Sequence, residues 1–313
     1  MLALRGHSGQ VMSLAFSPDG RWLASAGWDG SVRLWEVAAG RETRCIRTTN
    51  AHSTSVAFFP DGQTLAAGFF DAGGAALPIY GNVAVFPLRH EAIDGHDSIH
   101  PSRTWRADKG HGIRQVAVLP GGAAVATLSM SNRPSIRLFN VSDRKPLGEP
   151  TEADGLQNFA VRPDGGEMAA VARQSEGVVL WRLTSMMKAE RIENVHLGPE
   201  TGDSLEYSPN GETIVALLQS GRMFWWPPEG PWSGRIRPGH GSPARALAFA
   251  PDSRGLLTGG ADGLIHLWDV ASQAQRLTFD WQIGEIGCVA YSPDGLTAAA
   301  GGDNEILIWD VDA

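Results

Sequence analysis

Short runs of apolar residues alternating with small or polar ones recur along the chain, each closed by the same kind of turn. The first, Val11-Met12-Ser13-Leu14-Ala15-Phe16, runs into Ser17-Pro18-Asp19-Gly20. A period of two over five or six residues is the pattern of a half-buried strand, and Pro-Asp-Gly marks a tight turn. The turn returns at Pro60-Asp61-Gly62, Pro120-Gly121-Gly122, Pro163-Asp164-Gly165, Pro209-Asn210-Gly211, Pro251-Asp252-Ser253 and Pro293-Asp294-Gly295. After each turn the chain carries a strand ending in a large aromatic: Trp35, Phe86, Phe139, Trp181, Trp226, Trp268 and Trp309. No segment sustains a 3.6-residue period, so no helix is predicted. The pattern predicts an all-β chain made of seven copies of a unit about 42 residues long.

The first and sixth units match almost position for position. Gly6-His7, Ser25, Asp29-Gly30 and Trp35 in one correspond to Gly239-His240, Thr258, Asp262-Gly263 and Trp268-Asp269 in the other. These residues at these intervals resemble the WD-repeat β-propeller family, and the resemblance runs over essentially all of residues 1–313. It implies a single domain, a seven-bladed β-propeller of four-stranded antiparallel blades around a central channel. Trp309-Asp310 ends the third strand of the seventh unit, and Leu2-Ala3-Leu4 stands where the family places an outer strand. The N-terminal strand is therefore expected to complete the last blade and close the ring, which removes an exposed sheet edge.

The resemblance also implies a hydrogen-bonded His, Ser/Thr, Asp and Trp set within a blade. Two units hold all four members: His7, Ser25, Asp29, Trp35 and His240, Thr258, Asp262, Trp268. The indole N–H donates, the hydroxyl relays and the carboxylate anchors the imidazole. In composition this resembles a catalytic triad, but the hydroxyl sits inside a strand and no activated nucleophile needs a tryptophan partner, so the set is read as structural. The other units are degraded. The seventh is read with Ala299 at the hydroxyl position, and the fourth and fifth have Ser175 and Ser220 where Asp is expected.

Composition narrows the function. Of 313 residues, 42% are hydrophobic and 19% charged, with 38 glycines and a net charge of -8. That balance argues against nucleic acid as a partner, since phosphate binding is driven by Lys and Arg. Two cysteines, Cys45 and Cys288, make neither a disulfide framework nor a metal spacing and read as free thiols of a reducing compartment. No signal peptide is visible and no apolar run is long enough for a bilayer. The expectation is a cytoplasmic, monomeric propeller within a larger complex, binding no membrane, needing no cofactor or metal, and docking a protein or peptide.

Function should lie where the repeat is broken. Two residues before each turn the inner strand has Ala15, Ala57, Ala117, Ala160, Ala248 or Ala290, but Glu206 in the fifth unit. A carboxylate there needs water, a donor or a cation. It is read as facing a wet channel, pairing with an arginine, or contacting a ligand. Trp28 and Phe70 precede Asp29 and Asp71 in adjacent units, and the resemblance implies that they project from the partner-binding face. They form an aromatic anchor there, or pack on each other or under the long loop that follows Phe70. Arg114, Arg133, Arg173 and Arg245 fall near strand starts or turns on that face and could receive an acidic segment. Two insertions, 71–81 and 89–102, enlarge the second unit. The latter holds His90, His96 and His100 with Glu91, Asp94 and Asp97, whose spacing fits no rigid zinc site. Competing readings are a lactonase- or hydrolase-like propeller enzyme with a channel site near Glu206, and a sensory or targeting module of a signalling assembly. The inner strands offer essentially one titratable group, too few for general acid-base chemistry.

Overall fold

A computed structural model describes residues 1–47, 51–71, 82–88, 103–107, 112–173, 177–184, 189–197, 200–226 and 234–311. Both insertions lie outside these residues, apart from the backbone of Asp71, as do Ser175 and the His90, His96 and His100 group. The described residues form seven four-stranded antiparallel sheets. The inner strands are Val11–Phe16, Ala51–Phe58, Ile113–Val118, Leu156–Val161, Gly202–Tyr207, Ala244–Phe249 and Cys288–Tyr291, numbered here as blades 1 to 7.

The ring closes as the sequence predicts. Leu2–Arg5 is the outer strand of blade 7, pairing with Glu305–Asp310 from Leu2 opposite Ile308 to Arg5 opposite Glu305. Arg5 Nε also donates to Glu305 Oε1 at 2.7 Å. Closure matters because the core lies between blades. Seven hydrophobic clusters each fill the wedge between two neighbours. In the wedge between blades 7 and 1, Leu4, Leu14, Leu23 and Trp35 pack with Ala299, Ile306 and Ile308. That wedge exists only in the closed ring.

The repeated turns interlock at one end of the propeller. Gly62 has φ 63° and Gly122 has φ 72°, the left-handed region that a glycine adopts without a Cβ clash. A Cβ on Gly62 would stand 3.5 Å from Pro18 Cδ, and one on Gly122 3.3 Å from Pro60 Cδ. Each of these two turns thus rests on the proline of the preceding blade's turn, whereas Gly211 in blade 5 stands against Arg162. Ser253 replaces the glycine in blade 6, also at positive φ, and its Oγ accepts a hydrogen bond from Asn210 N of blade 5 at 3.0 Å.

Polar side chains on the inner strands tie neighbouring blades together. Ser13 Oγ accepts from Val56 N at 3.2 Å, and Ser55 Oγ from Val116 N at 3.1 Å. Gln115 takes both groups of Phe159, at 3.0 and 2.8 Å, and Asn158 Oδ1 accepts from Leu205 N at 3.2 Å. In blades 1 to 4 one position of the inner strand therefore satisfies backbone groups that face the next blade.

Register corrects one reading of the seventh blade. Trp35 stands opposite Leu23, and Ser25 lies two residues on; Trp309 stands opposite Ala298, which puts the hydroxyl position at Ala300 and not Ala299. The consequence is visible. The buried Nε1 of Trp309 has no hydrogen-bond partner, whereas Trp35 Nε1 donates to Ser25 Oγ at 2.9 Å.

Candidate functional site

The end of the propeller opposite the proline turns carries the starts of the inner strands and the turns between second and third strands. A recurrent backbone device shapes it. In six blades the inner strand's register slips by one residue near the start of the strand, as at Val11/Ser13, Ile113/Gln115, Gly202/Ser204 and Ala244/Ala246. Such a bulge leaves one residue outside the ladder and re-aims its side chain. The residues freed in this way are Met12, Thr54, Arg114, Gln157, Asp203 and Arg245. They ring the channel mouth, and four of them line a cavity of about 250 Å³ that reaches down to Ser13, Ser55, Gln115 and Ser204.

Charge gathers on one side of the mouth. Arg173, at the end of the second strand of blade 4, lies 3.6 Å from Asp203, and Arg245 lies 3.3 Å from the same carboxylate. Arg245 also donates to Glu285 at 3.1 Å. Burial, then the like charges of Arg173 and Arg245, push the pKa of Arg114 down, while Asp203 opposes them. Three guanidinium groups therefore share two carboxylates, a surplus of positive charge in an acidic protein. Arg133 stands apart, on the exposed turn of blade 3, and makes no ion pair among the described residues.

The aromatic anchor differs from the sequence expectation. Trp28 is 53% exposed and Phe70 half-buried, but they do not form a direct pair. His52 stands between them, with ring centroids 5.6 Å from Trp28 and 6.2 Å from Phe70, stacked on the latter at 12°. His52 Nδ1 donates to Trp28 O at 2.5 Å. Phe70 is set against the backbone of Gly112, where an added Cβ would overlap its ring. The result is a three-ring stack across blades 1 and 2. His52 was missed because it precedes the alternating run and matches no repeat position.

Glu206 is not among the residues lining the mouth cavity. It extends the blade-to-blade stitching instead. Phe249 N–H of blade 6 donates to its carboxyl, its Oε2 is sealed from solvent with no partner, and burial pushes its pKa up to about 8. No arginine pairs with it among the described residues, and at neutral pH it is an uncharged acid. The expectation of an arginine pair is thereby corrected: a backbone amide serves the group, and one of its two oxygens is shut off from water.

The two polar sets are assembled as hydrogen-bonded chains. In blade 1, His7 Nδ1 is 3.0 Å from Asp29 Oδ1 and Nε2 2.7 Å from Ser25 Oγ. In blade 6 the corresponding distances are 3.4 and 3.3 Å to the two Asp262 oxygens and 2.8 Å to Thr258 Oγ1, which also accepts from Trp268 Nε1 at 2.9 Å. Hydrogen bonds from Ser31 and the Ser8 amide, with the nearby His7, outweigh burial and hold the Asp29 pKa down at about 2. Burial lowers the pKa of both histidines. Neither hydroxyl opens to the channel, so the sets brace their blades.

Taken together, the closed seven-bladed ring, its wedge cores and its interlocked turns define a β-propeller whose variable chemistry is concentrated at one mouth. Residues 1–36, 43–73, 233–269 and 276–310, which fall in blades 1, 2, 6 and 7, match the family model WD domain, G-beta repeat, and the chain is a seven-bladed β-propeller with WD-type repeats. It is similar to the guanine nucleotide-binding protein subunit beta of Oryza sativa subsp. japonica, at 23% identity, across 98% of this chain and 82% of that protein. It is also similar to protein hir1 of Schizosaccharomyces pombe, at 26% identity over 94% of this chain and 34% of that protein. Periodic tryptophan protein 2 homolog of Mus musculus matches at 26% identity over 71% of this chain and 25% of that protein. No helix among the described residues is long and apolar enough to cross a membrane.

Proposed function

We infer that the protein is a non-catalytic interaction scaffold that docks a protein or peptide at the mouth bearing Trp28, His52 and Phe70. The observation that carries this reading is the coexistence, on one end of a rigid ring, of an aromatic cluster capped by the exposed Trp28 and a guanidinium cluster. Exposed aromatics and arginines are the residues that dominate protein interfaces. The aromatic stack offers apolar area over blades 1 and 2. Arg114, Arg173 and Arg245 offer an acceptor for acidic side chains over blades 3 to 6. Similarity to a G protein β subunit and to hir1 supports the class of scaffold.

The test is affinity capture with the wild type, a Trp28→Ala/Phe70→Ala double variant, and an Arg173→Glu/Arg245→Glu double variant. A protein retained by the wild type and lost from both variants, then shown to bind directly when purified, is the expected result. Identical captures by all three would remove this mouth from the mechanism.

A further inference from the structure

We propose that the sixth blade holds a divalent, nitrogen-preferring metal ion of the zinc class between His240, Asp262 and His266. Among the described residues these three side chains each bring a ligand atom within 4.8 Å of the other two. Both imidazoles are buried, and the Asp262 side chain is 22% exposed, so the site opens to solvent on the carboxylate side. Two imidazoles and one carboxylate, with a fourth position for water, make a ligand set that suits zinc and its neighbours.

Comparison of the two complete blades carries the argument. His266 pairs in register with Thr258 as Arg33 pairs with Ser25. In blade 1 that position supplies a cation: Arg33 Nη2 lies 3.6 Å from Asp29 Oδ2. In blade 6 the guanidinium is replaced by an imidazole, so Asp262 faces two potential ligands and no such cation. The spacing changes accordingly. His7 and Asp29 stand at 3.0 Å, an ordinary hydrogen bond. His240 Nδ1 and Asp262 stand at 3.3 and 3.4 Å, long for a hydrogen bond. Two ligands each about 2.0–2.1 Å from a tetrahedral ion are about 3.3 Å apart.

The surrounding groups fix both rings as an outer shell would. His240 keeps Nε2 on Thr258 Oγ1, leaving Nδ1 to the metal once its proton moves to Nε2. His266 Nδ1 is 2.9 Å from Thr278 Oγ1 and 3.1 Å from Gln275 Nε2, which leaves Nε2 as its open nitrogen. The ring centroids are 4.2 Å apart, so a modest movement of His266 completes the site. Metal here would restore the positive charge that blade 1 builds in covalently. It revises, for one blade, the expectation of a metal-free fold.

The experiment uses the full chain stripped with a chelator and titrated with Zn²⁺ alone, in competition with a chromophoric chelator, for wild type, His266→Arg and His266→Gln. His266→Arg places a guanidinium beside Asp262 as Arg33 stands beside Asp29, although Gln275 and Leu264 take the places of Glu42 and Ser31, and the metal-free melting temperature of both variants checks that they fold. The expected result is one Zn²⁺ equivalent in the wild type that both variants bind at least about tenfold more weakly, since loss of even an outer-shell partner has effects of that size. Zinc should raise the wild-type melting temperature and leave that of the variants in place. Reading the difference between proteins separates this site from His90, His96 and His100. A wild type that takes up no zinc, or variants that take up the same number of ions with the same affinity, would overturn the proposal.

Discussion

Glu206 gives the sharpest quantitative test, because a buried acid writes its environment into the pH dependence of stability. Its pKa rises from 4.5 to about 8 through burial, with the Phe249 amide opposing. The folded state therefore holds the proton more tightly than the unfolded chain, and stability falls as pH rises from about 4.5 to about 8. At about 1.4 kcal/mol per unit, the loss relative to pH 4 is about 3 kcal/mol at pH 7 and about 5 kcal/mol above pH 8. These are upper limits, since part of the side chain still meets solvent. Glu206→Gln keeps an acceptor for Phe249 N–H and cannot ionise. Urea unfolding of both proteins between pH 5 and pH 8.5 isolates the effect, because the lowered pKa values of His7, His240 and His266 act in both and cancel. The wild type should lose about 3–4 kcal/mol relative to the variant across that range. A difference that stays constant with pH would refute the buried-acid reading and return Glu206 to an ionised state in the channel.

Two further substitutions probe the frame. Ala300→Ser places a hydroxyl where Trp309 Nε1 has no acceptor, at a position corresponding to Ser25, and should stabilise by about 1 kcal/mol in urea unfolding; a loss of stability would show that the indole does not reach it. Deleting residues 1–5 removes the outer strand of blade 7 and the buried Leu4, and should lower stability by at least about 3 kcal/mol while promoting concentration-dependent aggregation. Unchanged thermal unfolding of that deletion would refute closure by this strand.

The sequence revealed what repeats within a blade and little of what passes between blades. Strands, turns and the closing strand were legible because alternation and Pro-Asp-Gly are local signals about 42 residues apart. The bulges were not, since Met12, Thr54, Arg114, Gln157, Asp203 and Arg245 are of five different residue types. What they share is a place where the ladder slips by one residue. The slip in placing Ala300 has the same origin: Ala298-Ala299-Ala300 carries no internal marker, and only pairing with Trp309 sets the register. Partners such as Ser55 and Val116, or Arg173 and Asp203, meet across a wedge and leave no spacing to read along the chain. The mouth arginines were therefore found one by one, while their shared carboxylates were not. This division has a mechanical consequence. A bulged residue presents its side chain without a place in the cross-strand ladder, so exchanging it changes the chemistry of the mouth while the wedge cores and turn ring stay as they are. The polar set of blade 6 lacks that freedom, because Thr258 and Trp268 tie His240 to the strands themselves. If partners dock at this mouth as proposed above, specificity changes at Arg114, Asp203 and Arg245 without touching the wedge cores, whereas a change at His240 acts by way of stability.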